Sequence, residues 1–318
     1  MQVIDLRNRD RQLHTDMVPR TACALGFFDG VHIGHRALLA SACDAAEQIG
    51  ASPAVWTLSA PPFPERGAQI TDMNERLALF ASAGIRYVFL SSFSEIQSFS
   101  PERFVEEILL GVCHVSAVVC GFNFRFGAGA RGNSDTLSAL LAHHGIPLHI
   151  IDPVMLDEAP VSSTRIRAAL SAGDIELAAR LLGRSYSINR TVVHGKALGR
   201  KIGIPTVNQA IPPYMQIPKE GTYASVVTLD GIAYPSVTNI GRRPTVDEDD
   251  HVLNAETHII GFDGWLYDRP LSVSLRRRLR DEMAFNSIDA LCAQIHCDIA
   301  ASVSLHESTS DFKTKEIP

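Results

Sequence analysis

Apolar residues in the first half of the chain alternate between short continuous runs and longer segments with helical spacing. The short runs predict five strands, at residues 21–28, 52–58, 86–90, 115–120 and 148–151. The segments with apolar residues three and four apart predict helices at residues 35–49, 74–83, 101–110, 137–144, 164–171 and 174–182. Because strands and helices alternate, this half is predicted to be an α/β domain, a Rossmann-like parallel sheet with helices on both faces.

The second half changes to short alternating apolar and polar segments separated by turn residues. These predict strands at residues 187–193, 222–229, 234–239, 255–260 and 271–275. Such a series indicates an antiparallel β-barrel. A terminal helix is predicted from about residue 287 to 302, and the polar segment 306–318 is predicted to be disordered. The predicted domains are therefore residues 1–184 and 185–305, followed by this tail.

Bulk properties narrow the class of protein. A chain of 318 residues is long enough for about two domains. The formal net charge of −6 argues against a nucleic-acid-coating role, which needs a basic face. No run of about 18 apolar residues indicates a membrane span or secretory signal. The six cysteines form no C-x-x-C pair and mostly lie in apolar runs, which favours a cytoplasmic protein. We expect it to act on small molecules, without nucleic acid or membrane, as a monomer or weak oligomer.

The segment 24–35 carries the strongest candidate chemistry. An apolar run reaches Gly26, turns at Asp29-Gly30 and enters a helix through His32, Gly34 and His35. Helix N-terminal amides and imidazole N–H groups favour bound phosphate, and a glycine lets phosphate approach the backbone. The alternative is that both histidines are surface residues at a helix start.

Two further segments suit a phosphate-bearing ligand. Residues 162–167 place hydroxyls before a helix with two arginines, although a serine there could simply cap the helix. Residues 121–132 contain four glycines, two arginines and three phenylalanines. That composition favours a loop that closes over a flat ligand, the alternative being an ordinary glycine-rich surface loop.

The barrel half holds a second group of candidates. Glycines including Gly199 precede Thr206 and Asn208, two neutral oxygen ligands of the kind that Mg²⁺ with nucleotide phosphates prefers. Glu256 lies in an alternating strand, where it is either a general base for an attacking hydroxyl or part of a solvated barrel face. The Gly-Lys-[Ser/Thr] sequence of a P-loop is absent.

Together, and in this order, these segments resemble the bacterial bifunctional riboflavin kinase/FAD synthetase family from about residue 20 to 303. Residues 26–35 resemble its G-N-F-D-G-V-H-x-G-H motif, 121–127 its G-x-[ND]-F-x-F-G loop and 162–167 its S-S-T-x-I-R motif. Residues 199–208 resemble G-R-x-x-G-x-P-T-x-N, and 239–245 resemble N-I-G-x-R-P-T. The E-x-H strand falls at 256–258, and L-R-x-E-x-x-F at 279–285.

The resemblance implies two reactions that use ATP and Mg²⁺: phosphorylation of riboflavin to FMN, then adenylylation of FMN to FAD with release of pyrophosphate. For the transferase site it implies catalytic His32 and His35, and a binding set of Gly26, Phe28, Gly34, Asn123, Arg125, Ser163, Thr164 and Arg167. For the kinase site it implies Glu256 as base, Thr206 and Asn208 at the metal, and a binding set of Gly199, Arg200, Pro205, Asn239 and Arg280.

Two departures from the family pattern lie in the first half. Phe27 replaces the usual Asn, and residues 58–62 read Leu-Ser-Ala-Pro-Pro where the family has F-D-P-H-P. The acidic and histidine side chains of that stretch are absent. Two alternatives therefore stand beside the bifunctional enzyme: a riboflavin kinase with a degenerate first domain, and a flavin-nucleotide-binding regulatory protein without turnover.

Overall fold

A computed structural model describes residues 1–7, 18–61, 67–195, 199, 202–242 and 253–310. The chain divides into two units, with the division after Ser163. This division falls earlier than the predicted domain boundary after residue 184, which remains a prediction.

The first unit contains six strands of one sheet and the helices between them. In chain order these are β1 (Gln2–Asp5), β2 (Thr21–Leu25), α1 (Ile33–Ile49), β3 (Ser52–Leu58), α2 (Met73–Ser82), β4 (Tyr87–Ser91), α3 (Phe93–Ile96), α4 (Pro101–Arg103), β5 (Val115–Gly121), α5 (Ser134–Ala142) and β6 (Leu148–Ile151). A short hairpin follows, with β7 (Met155–Leu156) and β8 (Ala159–Pro160).

All six strands of the sheet are parallel, in the order β1-β4-β3-β2-β5-β6. The predicted α/β class is confirmed. The chain proceeds outward from β2 through β3 to β4 on one side, and through β5 to β6 on the other. The carboxyl ends of β2 and β5 therefore mark a topological switch point, where open α/β sheets bind ligands.

The centre of this sheet is apolar on both faces. All five residues of β2 are buried, and so are most residues of β3, β4 and β5. Helices cover both faces, which explains why these strands read as continuous apolar runs rather than alternating ones. Buried neighbours hold β2 rigid, so the turn that follows it starts from a fixed point.

Several local features of the first unit differ from the prediction, among them the end of β2, which lies at Leu25 instead of residue 28. Strand β1 was not predicted, and it pairs with β4 at the edge of the sheet. The predicted helix 101–110 begins as α4 but continues as a π-helix over Phe104–Leu110, with wider backbone hydrogen bonding. Apolar spacing does not distinguish these two helix types over so short a segment.

The elements described in the second unit are a six-stranded antiparallel sheet and three helices. In chain order they are α6 (Ser163–Ala172), which starts at the division, α7 (Ile175–Leu182), β9 (Ser187–Thr191), β10 (Val207–Ile211), β11 (Gly221–Leu229), β12 (Ile232–Arg242), β13 (Leu253–Ile259), β14 (Pro270–Arg280) and α8 (Ile288–Ser310).

The sheet forms a nearly closed barrel in the order β10-β13-β12-β11-β14-β9. Val193, just beyond β9, makes an antiparallel bridge to Asn208 of β10, and its amide donates to the Asn208 carbonyl at 2.8 Å. This contact brings the first and last strands of the order together. The predicted antiparallel barrel is confirmed.

Helix α8 is longer than predicted. It continues to Ser310 instead of ending near residue 302, so residues 306–310 of the predicted tail are helical, and 311–318 lie outside the described residues. By length and composition alone, residues 288–308 could cross a membrane. The helix also carries buried Asp298, whose carboxylate pairs with Arg280 of the barrel at 2.8 Å. That no membrane is involved stays a prediction.

Candidate functional sites

The turn between β2 and α1 has an unusual backbone. Phe28 and Val31 both have positive φ angles, 58° and 39°, on either side of Gly30 at 82°. A positive φ is costly for a β-branched residue such as Val31, and such conformations concentrate at functional sites. The turn directs the chain from the end of β2 into the first turn of α1.

Asp29 anchors this turn from inside. Its buried carboxylate accepts hydrogen bonds from the backbone N–H groups of Ile70 and Thr71, at 2.9 and 3.2 Å. The Gly30 amide in turn donates to the Thr71 hydroxyl at 2.9 Å. The Asp29 side chain therefore fixes the turn against the segment that leads into α2.

His32 is the N-cap residue of α1. Its Nδ1 accepts the backbone N–H of His35 at 3.2 Å, and the two imidazole rings stack with centroids 3.6 Å apart. Since Nδ1 uses its lone pair as an acceptor, the proton of the neutral ring lies on Nε2, which is then a donor suited to phosphate. A side chain on Gly34 would approach the His32 ring to 3.2 Å, so a residue without a side chain suits this position.

His32 is buried, and His35 beside it is buried at one ring nitrogen. His35 as a whole is partly exposed, but its Nδ1 is buried and has no hydrogen-bond partner among the described residues. Burial, then the neighbouring His32 and the Arg76 charge, lower the pKa of His35 well below its ordinary value. The ring is therefore neutral at physiological pH and packs edge-on against buried Phe28.

The segment that resembles S-S-T-x-I-R reaches the same turn. The Ser163 hydroxyl donates to the Asp29 carbonyl at 2.9 Å. This contact joins two predicted segments that are 134 residues apart in the chain. Thr164 and Arg167 follow on α6 and belong to the second unit by the division after Ser163.

The remaining binding residues of the first unit lie at the carboxyl ends of β2 and β5. Gly26 follows β2, and its amide donates to the Trp56 carbonyl at 3.2 Å. The Phe28 side chain is buried in the core, so only the backbone of this residue is available to contact a ligand. Asn123 and Arg125 are exposed in the turn after β5.

The glycine-rich segment 121–132 is folded back on itself. Phe126 and Gly132 exchange two backbone hydrogen bonds, at 3.1 and 3.0 Å. The Phe126 ring is buried, and a side chain on Gly132 would come within 2.6 Å of it. The base of this segment is thus fixed in the core, while Asn123 and Arg125 stay exposed. Its closure over a ligand stays a prediction.

Arg76 is a site feature that the sequence did not reveal. It is fully buried on α2, and its guanidinium donates to the carbonyls of Phe27 and Leu58 at 2.7 and 3.3 Å. The guanidinium also lies 4.5 Å from the centre of the Phe27 ring. Burial lowers its pKa to about 10, against the opposing effect of Asp29 and Asp72. Arg76 therefore contacts both segments that depart from the family pattern, one at Phe27 and the other at Leu58.

The barrel aligns the predicted kinase residues across neighbouring strands. Glu256 on β13 pairs directly with Asn208 on β10 and with Asn239 on β12. The same row continues through Thr222 on β11 to Arg280 on β14. Directly paired residues point to the same face of a sheet, so the predicted base, one predicted metal ligand and two predicted binding residues share one face.

Two glycines lie close to the predicted metal ligands. A side chain on Gly195 would come within 2.4 Å of the Asn208 amide, and one on Gly199 within 2.2 Å of the Ile204 carbonyl. His258 holds this segment from β13, because its Nδ1 donates to the Pro205 carbonyl at 2.8 Å. Thr206 follows directly, before β10 begins. The predicted binding residue Arg200 lies outside the described residues.

A cavity of about 430 Å³ opens beside Thr206. Its walls include Val192, Phe262, Trp265 and Tyr267, and the Tyr267 ring stacks on His194 with centroids 4.0 Å apart. Trp265 is 66% exposed. Aromatic walls beside neutral oxygen ligands can bind a planar base together with its phosphates.

Asn239 and Arg280 make structural contacts in addition to their place in the row. The Asn239 amide donates to Glu282 at 3.1 Å, and its oxygen accepts from Thr222 at 3.2 Å. Arg280 forms a paired interaction with both oxygens of Asp298 on α8. Their predicted role in ligand binding is not tested by these contacts.

Comparisons with known proteins define the class. The FAD synthetase family model matches residues 15–165 and the riboflavin kinase family model matches residues 182–305. Together the two matches describe a two-domain enzyme of flavin nucleotide synthesis.

Curated relatives narrow this class to one family. Bifunctional riboflavin kinase/FMN adenylyltransferases from Pseudomonas fluorescens, Bacillus subtilis (strain 168) and Escherichia coli (strain K12) are 35%, 32% and 34% identical. The matches cover 93%, 88% and 91% of this chain and 96%, 90% and 94% of those relatives. The chain belongs to the bifunctional riboflavin kinase/FMN adenylyltransferase family.

A solved structure shares the fold over nearly the whole chain. The crystal structure of a macrolide-efflux protein from Streptococcus pneumoniae has a TM-score of 0.83 at 26% identity. The match covers 95% of this chain and 99% of that one.

Proposed function

We propose that this protein phosphorylates riboflavin to FMN with ATP in its second unit and adenylylates FMN to FAD in its first. The observation that carries the proposal is that candidate side chains for the transferase reaction meet at one turn of the first unit, and candidate side chains for the kinase reaction meet in the barrel. The turn before α1 brings together His32, His35 and Ser163, and the barrel aligns Asn208 with Glu256. Both proposed reactions use small-molecule substrates. We expect a cytoplasmic enzyme that is a monomer or weak oligomer.

In the kinase reaction, Glu256 removes the proton from the riboflavin 5′-hydroxyl. The oxygen bonds to the γ-phosphorus of ATP, the bond to the bridging oxygen breaks, and ADP leaves. The aromatic cavity beside Thr206 suits the adenine base. Glu256 is half-buried and directly opposite Asn208, so base and phosphate-binding residues lie on adjacent strands.

The residues at the barrel site fit Mg²⁺ bound together with nucleotide. Thr206 and Asn208 offer neutral oxygens, and Gly195 and Gly199 allow the backbone to pack closely against this segment. No cluster of three or more metal-binding His, Cys, Asp or Glu side chains occurs among the described residues. Neutral ligands of this kind suit a cation whose remaining ligands are phosphate oxygens and water. Bound Mg²⁺ would neutralise charge that develops on the phosphates.

In the transferase reaction, a phosphate oxygen of FMN attacks the α-phosphorus of the second ATP and pyrophosphate leaves. This step needs no covalent intermediate, so alignment and charge stabilisation are sufficient. The amides of Ile33 and Gly34 in the first turn of α1 have no acceptor within the helix and, with the His32 Nε2–H, suit the phosphates, while the His35 amide is used by the His32 cap. Neutral His35 supports the His32 ring by stacking.

The departures from the family pattern favour one alternative, a kinase with an inactive first domain. Arg76 argues against it, because its guanidinium fills the space between Phe27 and the end of β3 and keeps both segments in a defined conformation. We therefore expect an active first domain.

The deciding assay supplies purified protein with FMN and Mg-ATP and measures pyrophosphate and FAD. We expect both products in equal amounts, and Glu256→Gln should leave this reaction unchanged while it abolishes FMN formation from riboflavin. An enzyme that makes FMN but releases no pyrophosphate would establish the kinase-only alternative. A protein that binds flavin without either product would be the regulatory alternative.

A further inference from the structure

Asn254 links the two proposed functional side chains of the kinase site. Its amide nitrogen Nδ2 donates to the Asn208 Oδ1 at 2.8 Å and to the Glu256 Oε1 at 3.3 Å. An amide nitrogen carries two hydrogens, so one group serves both partners. Asn254 itself is 3% exposed, which leaves it little freedom to adopt another conformation.

The position of Asn254 on β13 explains how its side chain reaches both Asn208 and Glu256. Asn254 and Glu256 are two residues apart on β13 and therefore share a face. Asn208 is directly opposite Glu256, while Asn254 faces Ala210, so Asn254 and Asn208 are diagonal neighbours. Ala210 has too short a side chain to compete for the amide.

The contact also orients Asn208. Its oxygen faces Asn254, and its nitrogen lies where a side chain on Gly195 would approach to 2.4 Å. An amide oxygen has two lone pairs, so the hydrogen bond from Asn254 is compatible with a bond from the same oxygen to a cation. Without Asn254, the Asn208 amide could rotate and present nitrogen instead of oxygen.

We propose that Asn254 is a positioning residue of the kinase site, which holds the oxygen of Asn208 and the carboxylate of Glu256 at a fixed separation. It does not touch the reacting atoms. The inference rests on the proposed roles of Asn208 and Glu256. Phosphoryl transfer depends on the alignment of base, cation and phosphate, and misplacement by about 1 Å lowers a rate on the order of 100-fold.

Two variants test the inference by removing one or both of the hydrogen bonds that Asn254 donates. Asn254→Leu has a similar shape and donates none, while Asn254→Ser has a single hydroxyl hydrogen. We expect kcat of riboflavin phosphorylation to fall about 100-fold in the first and about 10-fold in the second. KM for riboflavin should stay within about 3-fold, because the flavin itself is not contacted. The Mg²⁺ concentration for half-maximal rate should rise in both.

Gln209→Leu is the matched control. Gln209 is another fully buried carboxamide, one residue from Asn208, but its nitrogen donates to the carbonyls of Arg190 and Leu271 at 2.7 and 2.8 Å. Gln209→Leu should lower thermal stability, but it should not lower kcat or change the Mg²⁺ dependence of riboflavin phosphorylation. Thermal unfolding of the same samples, followed by circular dichroism, reports whether the barrel is folded, because FAD formation from FMN would report only on the first unit.

The outcomes separate this inference from the proposed function. Wild-type protein that does not phosphorylate riboflavin would overturn the function itself. Wild-type activity with unchanged kcat and Mg²⁺ dependence in Asn254→Leu would overturn the role of Asn254. A loss of kcat equal to that of Gln209→Leu would also overturn it. If the leucine variant does not fold, the serine variant decides in the same way.

Discussion

At the scale of the residue, single side chains combine structural and chemical roles. His32 caps α1 through Nδ1, which places the proton of the neutral ring on Nε2, the atom that we propose as a donor to phosphate. The sequence predicted that the chain enters a helix through His32 and His35. The structure refines this, because His32 precedes the helix and His35 lies within it. Capping by a histidine has no distinctive sequence pattern, so the tautomer could be assigned only from the structure.

His35 makes the first unit sensitive to acid. Its pKa is well below the ordinary 6.5 in the folded state because its Nδ1 is buried, so the native ring stays neutral where the unfolded ring gains a proton. Stability should therefore fall as pH drops below about 6.5, by up to about 1.4 kcal/mol per pH unit.

In His35→Gln, the decrease in Tm between about pH 7.5 and about pH 5.5 should be smaller than in the wild type. Thermal unfolding followed by circular dichroism measures this, with the exposed His144→Gln as control for the loss of a histidine. An identical decrease in wild type and His35→Gln would refute the assignment.

At the scale of the element, apolar spacing predicted most strands and helices, but not the details that depend on hydrogen bonding. Strands β3 and β6 have the predicted bounds, because continuous apolar runs end at turn residues. The edge strand β1 is mostly exposed and has no such run. Arg76 and Asn254 were missed because a buried polar residue is identified by its partners, which lie on other elements. Asn254 shares the two-residue spacing of Glu256, a signal that could have indicated it.

Two ion pairs attach helices to β14 and should differ in strength. Arg280 and Asp298 join α8 to the strand with side chains only 18% and 5% exposed, whereas Arg277 and Glu176 join α7 with side chains about half exposed. We expect Asp298→Ala to destabilise the second unit by about 3 kcal/mol, because it leaves Arg280 unpaired in a poorly solvated site.

Glu176→Ala is the matched control and should cost less than about 1 kcal/mol. Differential scanning calorimetry of both variants, with the first unit as an internal reference, gives the comparison. Equal shifts in Tm would mean that burial does not determine the strength of these pairs.

At the scale of the whole molecule, the residues proposed for the kinase reaction belong to the second unit, and those proposed for the transferase reaction belong to the first unit except Thr164 and Arg167. The family resemblance extended over both halves of the sequence, and the two family models match the same halves. The fold class followed from the order of elements, because alternating strands and helices define one domain and short alternating strands the other. The division after Ser163 could not be predicted, since α6 and α7 follow the α/β pattern in sequence but pack with the barrel unit.

The two proposed reactions use different residues. A variant that is inactive in one reaction should therefore complement a variant that is inactive in the other. Glu256→Gln removes the proposed kinase base. His32→Asn removes the imidazole but keeps a side-chain oxygen suited to an N-cap, so α1 should remain folded. With riboflavin and Mg-ATP, the first variant should form no FMN, and the second should form FMN but no FAD.

The most direct measurement mixes these two variants with riboflavin and Mg-ATP and follows FMN and FAD by chromatography. The account predicts that the mixture forms FAD with pyrophosphate, because FMN released by His32→Asn is adenylylated by Glu256→Gln. Formation of FAD by either variant alone would contradict it. So would a mixture that accumulates FMN without FAD while the wild type makes both.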